Sequence, residues 1–203
     1  MKFKKLFGVF LFLLCLAIIS VVGCYQVIVT APSGESETPS PKGSTFEMKV
    51  FRHARATLTD DDADKILKVA TDVAQSNPGC NATLLRDGDV EEFTWQQEGE
   101  VGVVSSGFDI DAVVSSPGVK VVKDVHWCKT SETFAPAIWG CAPIPGNAMV
   151  VERADQESEG VLWLHELGHN EGLYDLYKDS QKNRVMFHMI GPDHTKFTQG
   201  ECG

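Results

Sequence analysis

The stretch from 165 to 175, "HELGHNEGLYD", constrains the fold more than any other part of this chain. His165 and His169 are four residues apart, so on a helix they project from one face, one turn apart. Two imidazoles placed this way can share one zinc ion at about 2.0–2.1 Å each. Glu166 is rotated one step from His165, where it can hold a water and take its proton instead of binding the metal. Two ligands do not make a tight site, so the chain must turn sharply to bring a third from nearby. Gly172 can adopt the left-handed conformation that ends a helix. Asp175 lies six residues past His169, and a carboxylate oxygen is an acceptable zinc ligand. Three protein ligands leave a fourth position for water. His188 and His194 are the other candidates for the third place, and no glutamate lies between Glu171 and Glu201.

The flanking sequence supplies a scaffold for that helix. Its start falls at Gln156 to Ser158, with Glu157 and Glu159 near the N-terminus and Val161, Leu162, Leu164, Leu167 and Leu173 as apolar contacts. "NAMVVE" just before it is a strand. Near the start of the folded part, "FEMKVFR" alternates and predicts another strand. The next segment, "TLTDDDADKILKVATDVAQSN", predicts a helix with Thr59 or Asp60 as its cap. Ile66, Leu67, Val69, Ala70 and Val73 are its apolar stripe. Asp60, Asp61, Asp62 and Asp64 then sit in its first turn, where the helix dipole favours negative charge. A calcium loop would need alternating oxygens and a glycine, which this cluster lacks. Further short strands are expected in "ATLLRDGDVEEFTW" with a turn at Asp87-Gly88, in "VGVVSS" and in "GVKVVKDVHWC". "TSETFAPAIWGCAPIPG" is punctuated by Pro and Gly and predicts a loop. There are no apparent internal repeats. The expected class is α+β, a twisted mixed sheet with two main helices.

Residues 1–23 stand apart. A basic "MKFKK", an apolar "LFGVFLFLLCLAIIS" and a small-residue "VVG" before Cys24 have the parts of an export signal. A retained membrane helix is the rival reading, but the run is short for a span and no basic cluster follows it. Val21-Val22-Gly23-Cys24 resembles the bacterial lipobox, which implies cleavage before Cys24 and lipidation of that cysteine. Residues 24–44, rich in Ser, Pro, Gly and Glu, cannot bury enough apolar area to fold and so suit a tether. The folded domain is then 45–203. Removing 1–23 takes away Lys2, Lys4 and Lys5 and no acids, leaving 15 basic residues against 28 acidic ones, a charge of −13. Such acidity argues against nucleic acid as a partner and against anionic lipid contact by the domain itself. Cys80, Cys128, Cys141 and Cys202 remain, an even number without any CxxC pair, which favours two disulfides over a cysteine zinc site. Three pairings are open. Cys128–Cys141 with Cys80–Cys202 is preferred because the first closes a short loop.

"HELGHNEGLYD" resembles the zinc-binding motif of the metzincin peptidases, with Asp in place of the third histidine, as in the snapalysin group. "RVMFHMIG" resembles the methionine-containing turn of the matrixin-like members. The resemblance implies a metzincin-like domain with one catalytic Zn2+ held by His165, His169 and Asp175. Glu166 would be the general base and Met186 the Met-turn residue beneath the metal. His188 stands where astacin-like members place a tyrosine near the zinc, and could stabilise an oxyanion. The resemblance also implies an edge strand lining the cleft, read as Asn147, Ala148, Met149, Val150 and Val151, on which an extended peptide substrate would pair. The whole reading is a monomeric zinc endopeptidase of the bacterial envelope, at the outer membrane or cell surface, touching the membrane only through lipidated Cys24. The alternative is a surface lipoprotein that binds zinc or a protein partner and does not cut.

Overall fold

The computed structural model describes residues 43–96, 101–128 and 138–202. The export segment, Cys24 and nearly all of the tether lie outside these residues, as does part of the 130–146 loop.

The expected first strand runs from Thr45 to His53, interrupted only at Lys49 into β1 (Thr45–Met48) and β2 (Val50–His53). The interruption keeps a ladder bond, because the Lys49 carbonyl accepts from the Val119 amide at 2.9 Å. Helix α1 (Asp60–Gln75) follows. Thr59 caps it reciprocally: the Thr59 hydroxyl accepts from the Asp62 amide, and the Asp62 carboxylate accepts from the Thr59 amide, each at 3.1 Å. The acid cluster is thus a cap, and Asp60 and Asp64 also pair with Arg86 at 2.9 Å. Strands β3 (Thr83–Arg86) and β4 (Glu91–Phe93) lie on either side of the Asp87-Gly88 turn. That turn does not reverse the chain, since β3 runs parallel to β1 and β4 parallel to β2.

"VGVVSS" forms only a two-residue strand, β5 (Val103–Val104). A helix that sequence reasoning missed follows it, α2 (Gly107–Val113). Its β-branched Ile110 and Val113, short length and leading glycine give little helix propensity. It is held by its cap instead: Ser106 accepts from the Asp109 amide, and the buried Asp109 carboxylate accepts from Ser105, Ser106 and the Trp95 indole. Burial opposes ionisation of Asp109, but these donors hold its carboxyl below the usual range. Chain direction then passes through β6 (Gly118–Val122), β7 (Asp124–Val125), β8 (Gly140–Cys141), β9 (Ala148–Glu152) and helix α3 (Gln156–Asn170). The expected loop therefore contains a short strand, β8. The C-terminus ends in a single 3-10 turn, Gln199–Glu201.

The main sheet has the order β4-β2-β6-β9-β8, the first four parallel and β8 antiparallel to β9. Among the described residues the fold is thus a five-stranded mixed sheet, two small two-stranded sheets (β1-β3 and β5-β7) and three α-helices. One face packs against α1 and α3 through Ile66, Leu67, Val119, Val121, Met149, Val151, Leu162 and Trp163. The other face holds a smaller cluster around Val104, Ile110, Val122 and Val150. Lys120 of β6 is buried. Its ammonium donates to the carbonyls of Ser116 and Pro117 and sits 4.9 Å from the centre of the Phe51 ring. Burial pulls its pKa down to about 8. Cys128 is bonded to Cys141 and Cys80 to Cys202, with Cα separations of 5.7 and 4.9 Å, both ordinary for disulfides. The first ties β8 to the segment after β7. The second ties the C-terminus to the loop after α1.

Candidate metal centre

Asp155 caps the start of α3 by accepting from the Ser158 amide at 3.0 Å. The helix ends at Asn170 with Glu171 as its C-cap, and Gly172 takes φ +94°, the left-handed region. The Gly172 amide reaches the His169 carbonyl and the Leu173 amide reaches the Gly168 carbonyl, both at 2.9 Å. These are the two bonds of a Schellman ending, which satisfies the last carbonyls and reverses the chain. The reversal carries Asp175 back across the face that bears the histidines.

The two imidazoles are oriented from behind. The Val185 carbonyl lies 2.7 Å from His165 Nδ1, and the Leu173 carbonyl lies 2.8 Å from His169 Nδ1. A carbonyl can only accept, so each Nδ1 carries a proton, and the neutral imidazole then presents its Nε2 lone pair to the pocket. Asp175 Oδ1 stands 3.4 Å from His165 Nε2 and 3.6 Å from His169 Nε2. One ligand atom from each of these three residues lies within 4.8 Å of the others. Three acceptors converging on one point repel one another unless a cation lies between them, so this donor set fits a zinc ion. Neither His188 nor His194 joins this group. His194 Nδ1 is 2.6 Å from the Met189 carbonyl, and His188 is exposed, its ring packed against Phe187 and Tyr177.

The charges in the pocket are mutually coupled. Burial pushes Asp175 up, but the two facing imidazoles, when protonated, outweigh it and hold its carboxyl well below the usual range. Burial works against the charged form of His169, yet Asp175 and Glu166 raise it on balance. Glu166 is raised, first by burial and also by the charge of Asp175, against the pull of the two histidines. Its Oε2 is buried without a hydrogen-bond donor. Its carboxylate faces Gly140 of β8, where a Cβ would come within 2.6 Å of Oε1. Sequence reasoning overlooked Gly140. Its only signal was a glycine inside "IWGC", a place where backbone approaches something closely.

Met186 is fully buried, and its sulfur packs against the bare Cα of Gly168, where a Cβ would collide with it. The neighbouring Val185 supplies the carbonyl that holds His165. This segment is clipped to the one carrying Asp175: the Leu176 amide donates to the Met186 carbonyl at 2.8 Å, and the His188 amide to the Leu176 carbonyl at 3.1 Å. The strand read as the substrate-binding edge needs correction. Ala148, Met149, Val150 and Val151 do form β9, with Asn147 just outside it, but β9 is interior. It pairs with β6 on one side and with Gly140 and Cys141 of β8 on the other. Among the described residues β8 is the edge on that side of the sheet. The unbroken apolar run Ala148–Val151 was the available signal, because a strand buried on both faces does not alternate.

No family model and no curated protein matches the sequence. Among solved structures the chain is similar to a zinc-dependent peptidase from Methanocorpusculum labreanum, at 13% identity over 72% of this chain and 91% of that one, TM-score 0.44. It is also similar to archaemetzincin from Methanopyrus kandleri, at 15% identity over 73% and 87%, TM-score 0.43. A third is metalloproteinase-II from Bacteroides fragilis, at 13% identity over 79% of this chain and 50% of that one, TM-score 0.45. Overlap this loose transfers no function, which must come from the residues of the centre.

Proposed function

We propose that this chain is a zinc-dependent endopeptidase of metzincin type. The observation that carries the reading is the convergence of His165 Nε2, His169 Nε2 and an Asp175 oxygen, with the Glu166 carboxylate next to them on the same helix. A zinc ion held by those three would polarise a peptide carbonyl and make a water acidic enough to attack near neutral pH. Glu166 takes the proton of the attacking water and passes it to the leaving amine. Gly140, which has no side chain, leaves room for the Glu166 carboxylate. An extended peptide would pair with the outer edge of β8, through backbone bonds that tolerate many sequences. Met186 would serve as the Met-turn residue, flooring the site beneath Gly168.

The same reading includes export. Residues 1–23 are removed, Cys24 carries lipid, and the tether holds the domain away from an envelope membrane. Replacing Cys24 with Ser should move the protein from the membrane fraction to the soluble one, and its retention in membranes would refute the anchor. The activity is tested with purified protein and casein. Wild type should cleave it, and Glu166→Ala should lose at least about a hundredfold of that rate while keeping its zinc. A wild-type protein loaded with one zinc that cuts no peptide would overturn the reading in favour of a binding lipoprotein.

A further inference from the structure

The Asp175 carboxylate is divided between two neighbours. Its Oδ1 faces the two imidazoles, whereas its Oδ2 accepts from the Tyr177 hydroxyl at 3.3 Å. Tyr177 is 68% exposed, so packing alone does not explain where its hydroxyl lies. Two features place it. The backbone of Leu176, one residue earlier, is clipped to Met186 and His188. The ring itself rests against His188, with centroids 5.0 Å apart.

We propose that Tyr177 is a positioning residue of the metal centre, holding Oδ2 of Asp175 so that Oδ1 alone is presented to the ion. This rests on the zinc reading above. A free carboxylate can bind a metal through one oxygen or two. Binding through both would occupy the position that water and substrate need. A donor on Oδ2 opposes that by making the second oxygen a poorer ligand. A phenol keeps its proton at neutral pH, so the Tyr177 hydroxyl can act as that donor. His188 assists by bracing the ring, which gives that histidine a role away from the reacting atoms.

The test measures zinc affinity by competition with a chromogenic chelator, and the visible spectrum of the cobalt(II)-loaded protein, for wild type and three variants. Tyr177→Phe keeps the ring and removes the hydroxyl. It should weaken zinc binding by about tenfold, the lower end for an outer partner of a ligand. It should also reduce the intensity of the cobalt bands as coordination rises above four, with the melting temperature of the metal-free protein unchanged. His188→Ala should shift affinity in the same direction by a smaller factor. Tyr177→Phe with wild-type affinity and an unaltered cobalt spectrum, beside an Asp175→Ala that loses zinc, would refute the positioning role and leave the zinc reading intact. Asp175→Ala with wild-type affinity would overturn both.

Discussion

Helix α1 buries Ala63, Ile66, Leu67, Ala70 and Ala74 and turns Asp61, Asp64, Lys65, Lys68 and Asp72 to solvent. Helix α3 packs against it on the same face of the sheet and buries thirteen of its fifteen residues, including Ser158, Glu159, His165, Glu166, His169 and Asn170. Among the described residues, the buried side-chain polar atoms without a hydrogen-bond partner are Glu159 Oε2, Trp163 Nε1, Glu166 Oε2 and Asn170 Oδ1. All four lie on α3 at positions i, i+4, i+7 and i+11, which form a single stripe. Each such group costs about 1–3 kcal/mol. Helix α1 is therefore built for stability, and α3 holds polar chemistry in the core at a cost that its neighbours offset. The contact between them shows how: Gly160 of α3 has no side chain, so Val69 of α1 lies directly against its backbone.

If this contrast is correct, damage to the metal-binding groups of α3 and of the turn after it should appear first in metal binding, and damage to α1 or to the α1–α3 contact only in stability. The largest effect is expected from Asp175→Ala, which should weaken zinc binding by more than about a hundredfold, beyond the range of an outer partner. Chelator competition measures it, and the stability of the metal-free protein should change little. Next, Gly160→Val forces a branched side chain into Val69 and should destabilise the protein by about 3 kcal/mol in urea unfolding. A loss under about 0.5 kcal/mol would mean the two helices are not held that closely.

A third measurement asks whether burying a charge costs stability away from α3 as well. Lys120 binds its proton less tightly when folded, at about 8, than at its ordinary value of 10.5. Between those values the unfolded chain carries the extra proton, so stability should rise with pH across that window. The expected gain is about 3 kcal/mol, and it should vanish in Lys120→Met. A flat profile in the wild type would show that its carbonyl partners fully compensate the buried ammonium. The smallest effect is in α1. Thr59→Ala removes one half of the reciprocal cap and should cost about 1 kcal/mol with zinc affinity unchanged. A change in zinc affinity would break the division of labour between the helices.

Much of the centre is local, and local geometry is legible in sequence. His165 and His169 share a face because the helical repeat puts residues four apart together, and Gly172 ends the helix because a left-handed residue is needed there. The carbonyls of Leu173 and Val185 that orient the two imidazoles were not legible, since any residue supplies a carbonyl. Helix α2 was missed because its stability comes from the bonds of Ser106 and Asp109 and not from propensity. Gly140 was passed over because nothing in "IWGC" says that β8 will lie against Glu166.

The sequence by itself determined the two long helices, the four-residue spacing of the imidazoles and the turn that returns Asp175. Each depends on a period or a backbone preference spanning fewer than about fifteen residues. Only the tertiary structure decided that β9 is interior, that β8 forms the edge, and that Oδ1 and Oδ2 of Asp175 face different partners. Strand neighbours and carboxylate orientation are settled by contacts between residues distant in the chain, and no local pattern encodes which of those contacts will form.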